Sequence, residues 1–102
     1  MNKPNAMSRE IMFSQSHLRM ARDEQKKAGI SLGKLSTYRN RCGYGNPSFE
    51  IYSSTSPKRG SYVAIVHADN AYIAKADYIL SMVEIFNGGT PCHNVQLADT
   101  TK

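Results

Sequence analysis

The sequence predicts a single α+β domain with the element order α-α-β-β-α. Three observations carry that expectation. Apolar residues recur at helical spacing near the N-terminus and again over residues 70–87, and two short runs at 49–54 and 61–67 have strand character. Clusters of Gly, Pro and Asn separate these blocks. A chain of 102 residues fits one domain, and 40% hydrophobic content supports one modest core without a deep, walled cavity.

Residues 1–7 show no periodic pattern and read as a flexible tail. From Ser8, placed to cap a helix with its hydroxyl, Ile11, Leu18, Ala21, Gln25 and Ala28 form one stripe, and Gly29 ends it in the position that favours a left-handed residue. Ser31 is placed to cap a second helix of about ten residues that carries Leu32, Leu35 and Tyr38 inward, until Gly43, Gly45 and Asn46-Pro47 break it. Phe49 and Ile51 then share one face of a strand, with Glu50 and Tyr52 on the other. The run Ser61–His67 is rich in β-branched and aromatic residues and pairs with it as a hairpin, Lys58 and Arg59 at the tip. Asp69 is placed to cap a last helix to about Asn87, whose wide apolar stripe covers the hairpin, and Gly88-Gly89 and Pro91 stop it. The domain therefore spans 8–89, and 90–102 is expected to be loose apart from a short strand near Asn94–Leu97. The first two helices are expected on the remaining sheet edge.

Charge is unevenly spread. Residues 1–59 hold eleven Lys and Arg against four acidic residues, +7, whereas residues 60–102 hold two against four, −2. Such a split attracts phosphates or an acidic protein surface to the N-terminal half. No apolar run approaches the roughly 18 residues that cross a bilayer, and no secretory signal pattern opens the chain, so a cytoplasmic location without membrane contact is the expectation.

The residues argue against catalysis. Cys92-His93 are adjacent in sequence, which does not place a base against a thiol, and Cys42, His67, Cys92 and His93 lack the paired spacing of zinc ligands. Asp23-Glu24 read as local partners of a basic helix, Asp23 with Lys27, and Asp69, Asp77 and Glu84 read as solvated. Gly43-Tyr44-Gly45 has no strand before it or helix after it, as a phosphate loop requires. Two cysteines are too few for a disulfide-stapled scaffold, although a Cys42–Cys92 bridge is open. No cofactor or metal is implied.

Between Arg19 and Arg41 lie seven basic residues and two acidic ones, with Tyr38 and Tyr44 interleaved near Arg39 and Arg41. The expected nucleic-acid contacts are Arg19, Arg22, Lys26, Lys27, Lys34, Arg39 and Arg41, with Lys58 and Arg59 from the hairpin tip. Leu18–Arg22, Lys27–Leu32 and Leu35-Ser36 resemble the first helix and turn of repressor domains of the Cro type, and Asn46–Glu50 resembles a segment that follows their recognition helix. That resemblance covers about a fifth of the chain, and residues 37–45 are too short and glycine-rich for a recognition helix, so no base-reading residue follows from it. The sequence thus points to a small basic non-catalytic binding protein that contacts nucleic acid. The alternative is an accessory or inhibitor protein, of viral or plasmid type, that modulates a larger nucleic-acid-processing complex; the five Met and the tyrosines suit such an interface. A homodimer is compatible with both, because a lone hairpin leaves two edges to pair.

Overall fold

The computed structural model describes residues 6–40, 47–54 and 61–98, and within them the side chains of all but 6–10 and 40. Expectations for residues 1–5, Arg41, Cys42, Tyr44, Lys58, Arg59 and residues 99–102 fall outside the described residues. The described chain is α+β, with two helices and one antiparallel sheet of four strands. Its order is α1 (Ala6–Ala28), β1 (Ser36–Asn40), β2 (Ser48–Tyr52), β3 (Tyr62–His67), α2 (Ala71–Phe86) and β4 (Val95–Leu97). The sheet runs β1-β2-β3-β4.

The N-terminal helix, the hairpin and the last helix stand where the sequence pattern puts them, but the second helix does not form. Residues 31–35 are irregular and Ser36–Asn40 is a strand that pairs with β2 from Ser36↔Tyr52 to Asn40↔Ser48. Gly33, with φ of 69°, sits in the first turn of the expected helix in a left-handed conformation that helix geometry excludes. Thr37 and Tyr38 favour a strand, and five pairings to β2 outweigh a weak helical pattern. The same strand ends the resemblance to repressor domains after one helix.

The last helix is capped by Asn70, not Asp69. Asn70 is extended, and its Oδ1 accepts from the Ile73 N–H at 3.0 Å. α1 begins at Ala6, ahead of Ser8, and closes at Gly29, whose φ is 73° and whose N–H donates to the Gln25 and Lys26 carbonyls. Ile30 then folds back, with its N–H on the Gln25 carbonyl and its own carbonyl accepting from Gln25 Nε2 at 3.2 Å.

Alternation sorts the sheet into two faces. Phe49 and Ile51 on β2, Ala64 and Val66 on β3 and Val95 on β4 are buried beneath α2, which packs on all four strands. α2 also meets α1, and its buried positions (Ala74, Ala76, Tyr78, Ile79, Ser81 and Val83) run around much of its circumference. A helix that is apolar on most sides is one buried on more than one side. Among the described residues α1 packs on α2 alone of the regular elements, so it forms an outer layer and does not close a sheet edge.

Residues 88–94 return along α2. The Gly89 N–H donates to the Glu84 carbonyl, the Cys92 N–H to Ser81 Oγ and Asn94 Nδ2 to Asp77 Oδ2, which delivers Val95 opposite Val66 as the start of β4. Both hairpin edges are thereby paired within the chain. Cys92 is a half-buried free thiol.

Ile79, 1% exposed, is one of the largest fully buried side chains and belongs to the central helix. Ile79→Ala is expected to cost about 2–5 kcal/mol in a urea unfolding curve. A loss under about 1 kcal/mol would show that α2 is not the centre of the core.

Candidate nucleic-acid interface

Arg19, Arg22 and Lys26 stand at i, i+3 and i+7 on α1 and so share one flank. They line a single shallow groove of about 410 Å³ together with Asp23 and Gln25. Lys27 projects on the other flank and pairs with Glu24 at 3.7 Å, which replaces the expected Asp23–Lys27 pair. Three of the four expected helical contacts are therefore brought together and the fourth is set apart.

Lys34 reaches the same side by a different route. The irregular stretch after α1 folds back beside it, and Arg22, Gln25, Gly33, Lys34, Leu35, Ser36 and Ile79 line a second cleft of about 320 Å³. Arg22 borders both hollows. Lys75, absent from the sequence-based expectation, lies one helical turn before Ile79 and so on the same face of α2. Burial lowers its pKa below the usual lysine value, and the Arg22 charge lowers it further. The sequence signal for Lys75 is its isolation: it is the one basic residue in Ala71–Phe86. Among the described residues, none of Arg19, Arg22, Lys26, Lys34 or Lys75 has a carboxylate within ion-pair distance.

The orientation of this flank is set by polar ties between α1 and α2. Asn70 Nδ2 donates to the buried Ser14 Oγ at 2.8 Å, and His17 Nε2 donates to Asp77 Oδ1 at 3.1 Å. Asp77 accepts from Asn94 as well, so it is half-buried and doubly bonded where a solvated carboxylate was expected. With Phe13, Asp69 and Ile73 these residues line a hollow of about 500 Å³. Among the described residues no cluster of three His, Cys, Asp or Glu could hold a metal ion, and no helix is long and apolar enough to cross a membrane.

Tyr38 and Arg39, expected to act together, are separated by the sheet. Register puts Arg39 opposite Phe49, on the helix side, and Tyr38 opposite Glu50, on the face turned away from α2. A bulge between Ile51 and Tyr52 sets Tyr62 opposite Tyr52 and leaves Val63 as the extra residue. Tyr38 and Tyr52 meet edge-to-face at 5.7 Å, Tyr52 and Tyr62 are also 5.7 Å apart, and the Tyr52 hydroxyl donates to Glu50 Oε1 at 2.7 Å. This face is thus an aromatic cluster around a carboxylate, on the far side of the sheet from the cationic flank.

The hydrogen bond to Glu50 is the main cause that raises the Tyr52 pKa, with burial second; for Tyr62 burial leads and the Glu50 charge adds to it. A raised phenol pKa means that the folded state keeps its protons longer than the unfolded chain. This stabilisation is full below the ordinary tyrosine value of 10.0 and is lost as pH rises through the higher folded value. Glu50→Gln is expected to move the Tyr52 and Tyr62 transitions to lower pH in an absorbance titration of the phenolates; an unchanged titration would show that Glu50 does not govern them. No known protein family matches this chain, and no curated protein or solved structure matches it either.

Proposed function

We propose that this chain is a non-catalytic nucleic-acid-binding protein that contacts backbone phosphates through Arg19, Arg22 and Lys26, extended by Lys34. One observation carries the reading: these cations gather on one side of the fold, and none is neutralised by a carboxylate within ion-pair distance among the described residues. Solvated basic residues scattered over a surface repel one another weakly; gathered along one flank they create a local potential that a polyanion relieves. Tyr38 and Tyr62 face the other way, so the contact is electrostatic and independent of base sequence.

A second reading, an accessory or inhibitor protein bound to a larger complex, is favoured by a different feature. Met12, Phe13 and Met20 are 61%, 78% and 64% exposed on α1. Exposed apolar side chains gathered on one helix suit a protein interface.

The test is binding of a labelled oligonucleotide, followed by fluorescence anisotropy across a salt series. Each phosphate contact contributes about 0.7–0.9 to the log–log salt slope, so the four cations together give a slope of roughly −3 to −4. The triple variant Arg19→Glu, Arg22→Glu and Lys26→Glu is expected to weaken binding by about tenfold or more and to flatten that slope. Lys27→Glu, on the other flank, is expected to change affinity by less than about threefold. Affinity that does not respond to salt defeats the phosphate reading, and so does a Lys27→Glu effect equal to that of Arg22→Glu.

A further inference from the structure

The cleft between the C-terminal half of α1 and residues 33–36 differs from the open flank beside it. Its lining has two cations, Arg22 and Lys34, and no carboxylate. Gln25 adds an amide with two N–H donors, of which the Ile30 carbonyl takes one. Ile79 forms an apolar wall that excludes water from one side. Lys75, one turn away on the same face of α2, adds a third positive charge. Like charges drawn together beside an apolar wall repel more strongly than in open water, and an anion in their midst reverses the sign of that interaction.

We propose that this cleft is a discrete phosphate-binding site in which Arg22 and Lys34 hold the anion and Gln25 donates to it. A planar guanidinium binds two phosphate oxygens in parallel, and a lysine adds a mobile point charge. The cleft, of about 320 Å³, has room for a phosphate together with the sugar that carries it. The site deepens the nucleic-acid reading and rests on it in one respect: the phosphate is assigned to a strand that also runs along Arg19 and Lys26. A small phosphorylated molecule offers the same chemistry, and the experiment separates the two sources.

The full chain is titrated with inorganic phosphate at constant ionic strength, balanced with chloride, and followed by two-dimensional amide NMR. Saturable shifts are expected at Gln25 and over residues 33–36. Arg22→Gln and Lys34→Gln are each expected to weaken the phosphate affinity by about tenfold, the loss of one charge-assisted hydrogen bond. Arg19→Gln and Lys26→Gln leave it within about twofold, because neither residue lines the cleft. All four side chains are exposed, so folding is retained, and unperturbed core resonances check it. Shifts that rise linearly without saturation overturn the site, as do shifts that all four variants weaken equally; either result leaves oligonucleotide binding standing if that binding is salt-dependent. Saturable phosphate binding in a chain that binds no oligonucleotide at low salt establishes the site and overturns the nucleic-acid reading. The source is then a small phosphorylated molecule, for which adenosine monophosphate is the next probe.

Discussion

Everything in this fold depends on burying α2 from two sides. The strands are short, between three and six residues, and the face bearing Phe49, Ile51, Ala64 and Val66 is unstable in water until α2 covers it. α2 in turn exposes too much apolar surface for one cover: Ala74, Ala76, Tyr78, Ile79, Ser81 and Val83 do not lie on one narrow stripe. α1 supplies the second cover. Its own face is poor in apolar groups, with Ala21 fully buried, Leu18 and Ala28 partly so and Ser14 buried among them. Such a face binds a neighbour without fixing its own rotation. The Ser14–Asn70 and His17–Asp77 hydrogen bonds supply what packing leaves open, at about 1 kcal/mol each, and Asn94 ties the β4 approach to the same carboxylate.

That rotation decides which charges face outward together. With Ser14, Leu18, Ala21 and Gln25 turned toward the body, Arg19, Arg22 and Lys26 occupy one flank and Lys27 the other. Several acidic residues take other positions: Glu24 pairs with Lys27, Asp77 with His17 and Asn94, and Glu50 sits among tyrosines beyond the sheet, whereas Asp23 stays in the groove beside the three cations. A net charge of +5 could be a diffuse surface property. Here Arg19, Arg22 and Lys26 outnumber Asp23 along one flank, so the flank keeps a positive local field, and within a Debye length of about 8–10 Å its charges act together as one patch.

Legibility in the sequence followed the strength of local signals. α1, the hairpin and α2 were readable because each has a periodicity that agrees with its packing, with Gly29 as a stop. β1 was not. Ser31–Arg41 has the spacing of a weak helix, and what makes 36–40 a strand is pairing to β2 at the cost of Gly33 leaving helical geometry, which no local pattern reveals. The cap at Asn70 was masked by Asp69, an equally good capping residue one position earlier. In the site, the basic character of residues 19–34 was legible, but its division was not. Alternation on a strand separates Tyr38 from Arg39, where a helix would have left them on neighbouring flanks. Lys75 was passed over because it stands alone in an acidic half, and only the crossing of α1 and α2 brings it near Arg22.

The added strands also change what the sheet offers a partner. A two-stranded hairpin leaves both edges of β2 and β3 open, and edge-to-edge pairing of two copies then follows naturally. With β1 on one side and β4 on the other, the outer edges belong to strands of five and three residues. A three-residue edge gives few ladder hydrogen bonds, and β1 places the charged Arg39 at the other edge, a device that opposes strand addition. The two hairpin edges whose pairing made a homodimer compatible with the sequence are thus paired, among the described residues, within one chain. The exposed apolar side chains Met12, Phe13 and Met20 lie on the outer helix, away from both edges, so any contact between copies that buried them would join helices and leave the tyrosine face of the sheet open.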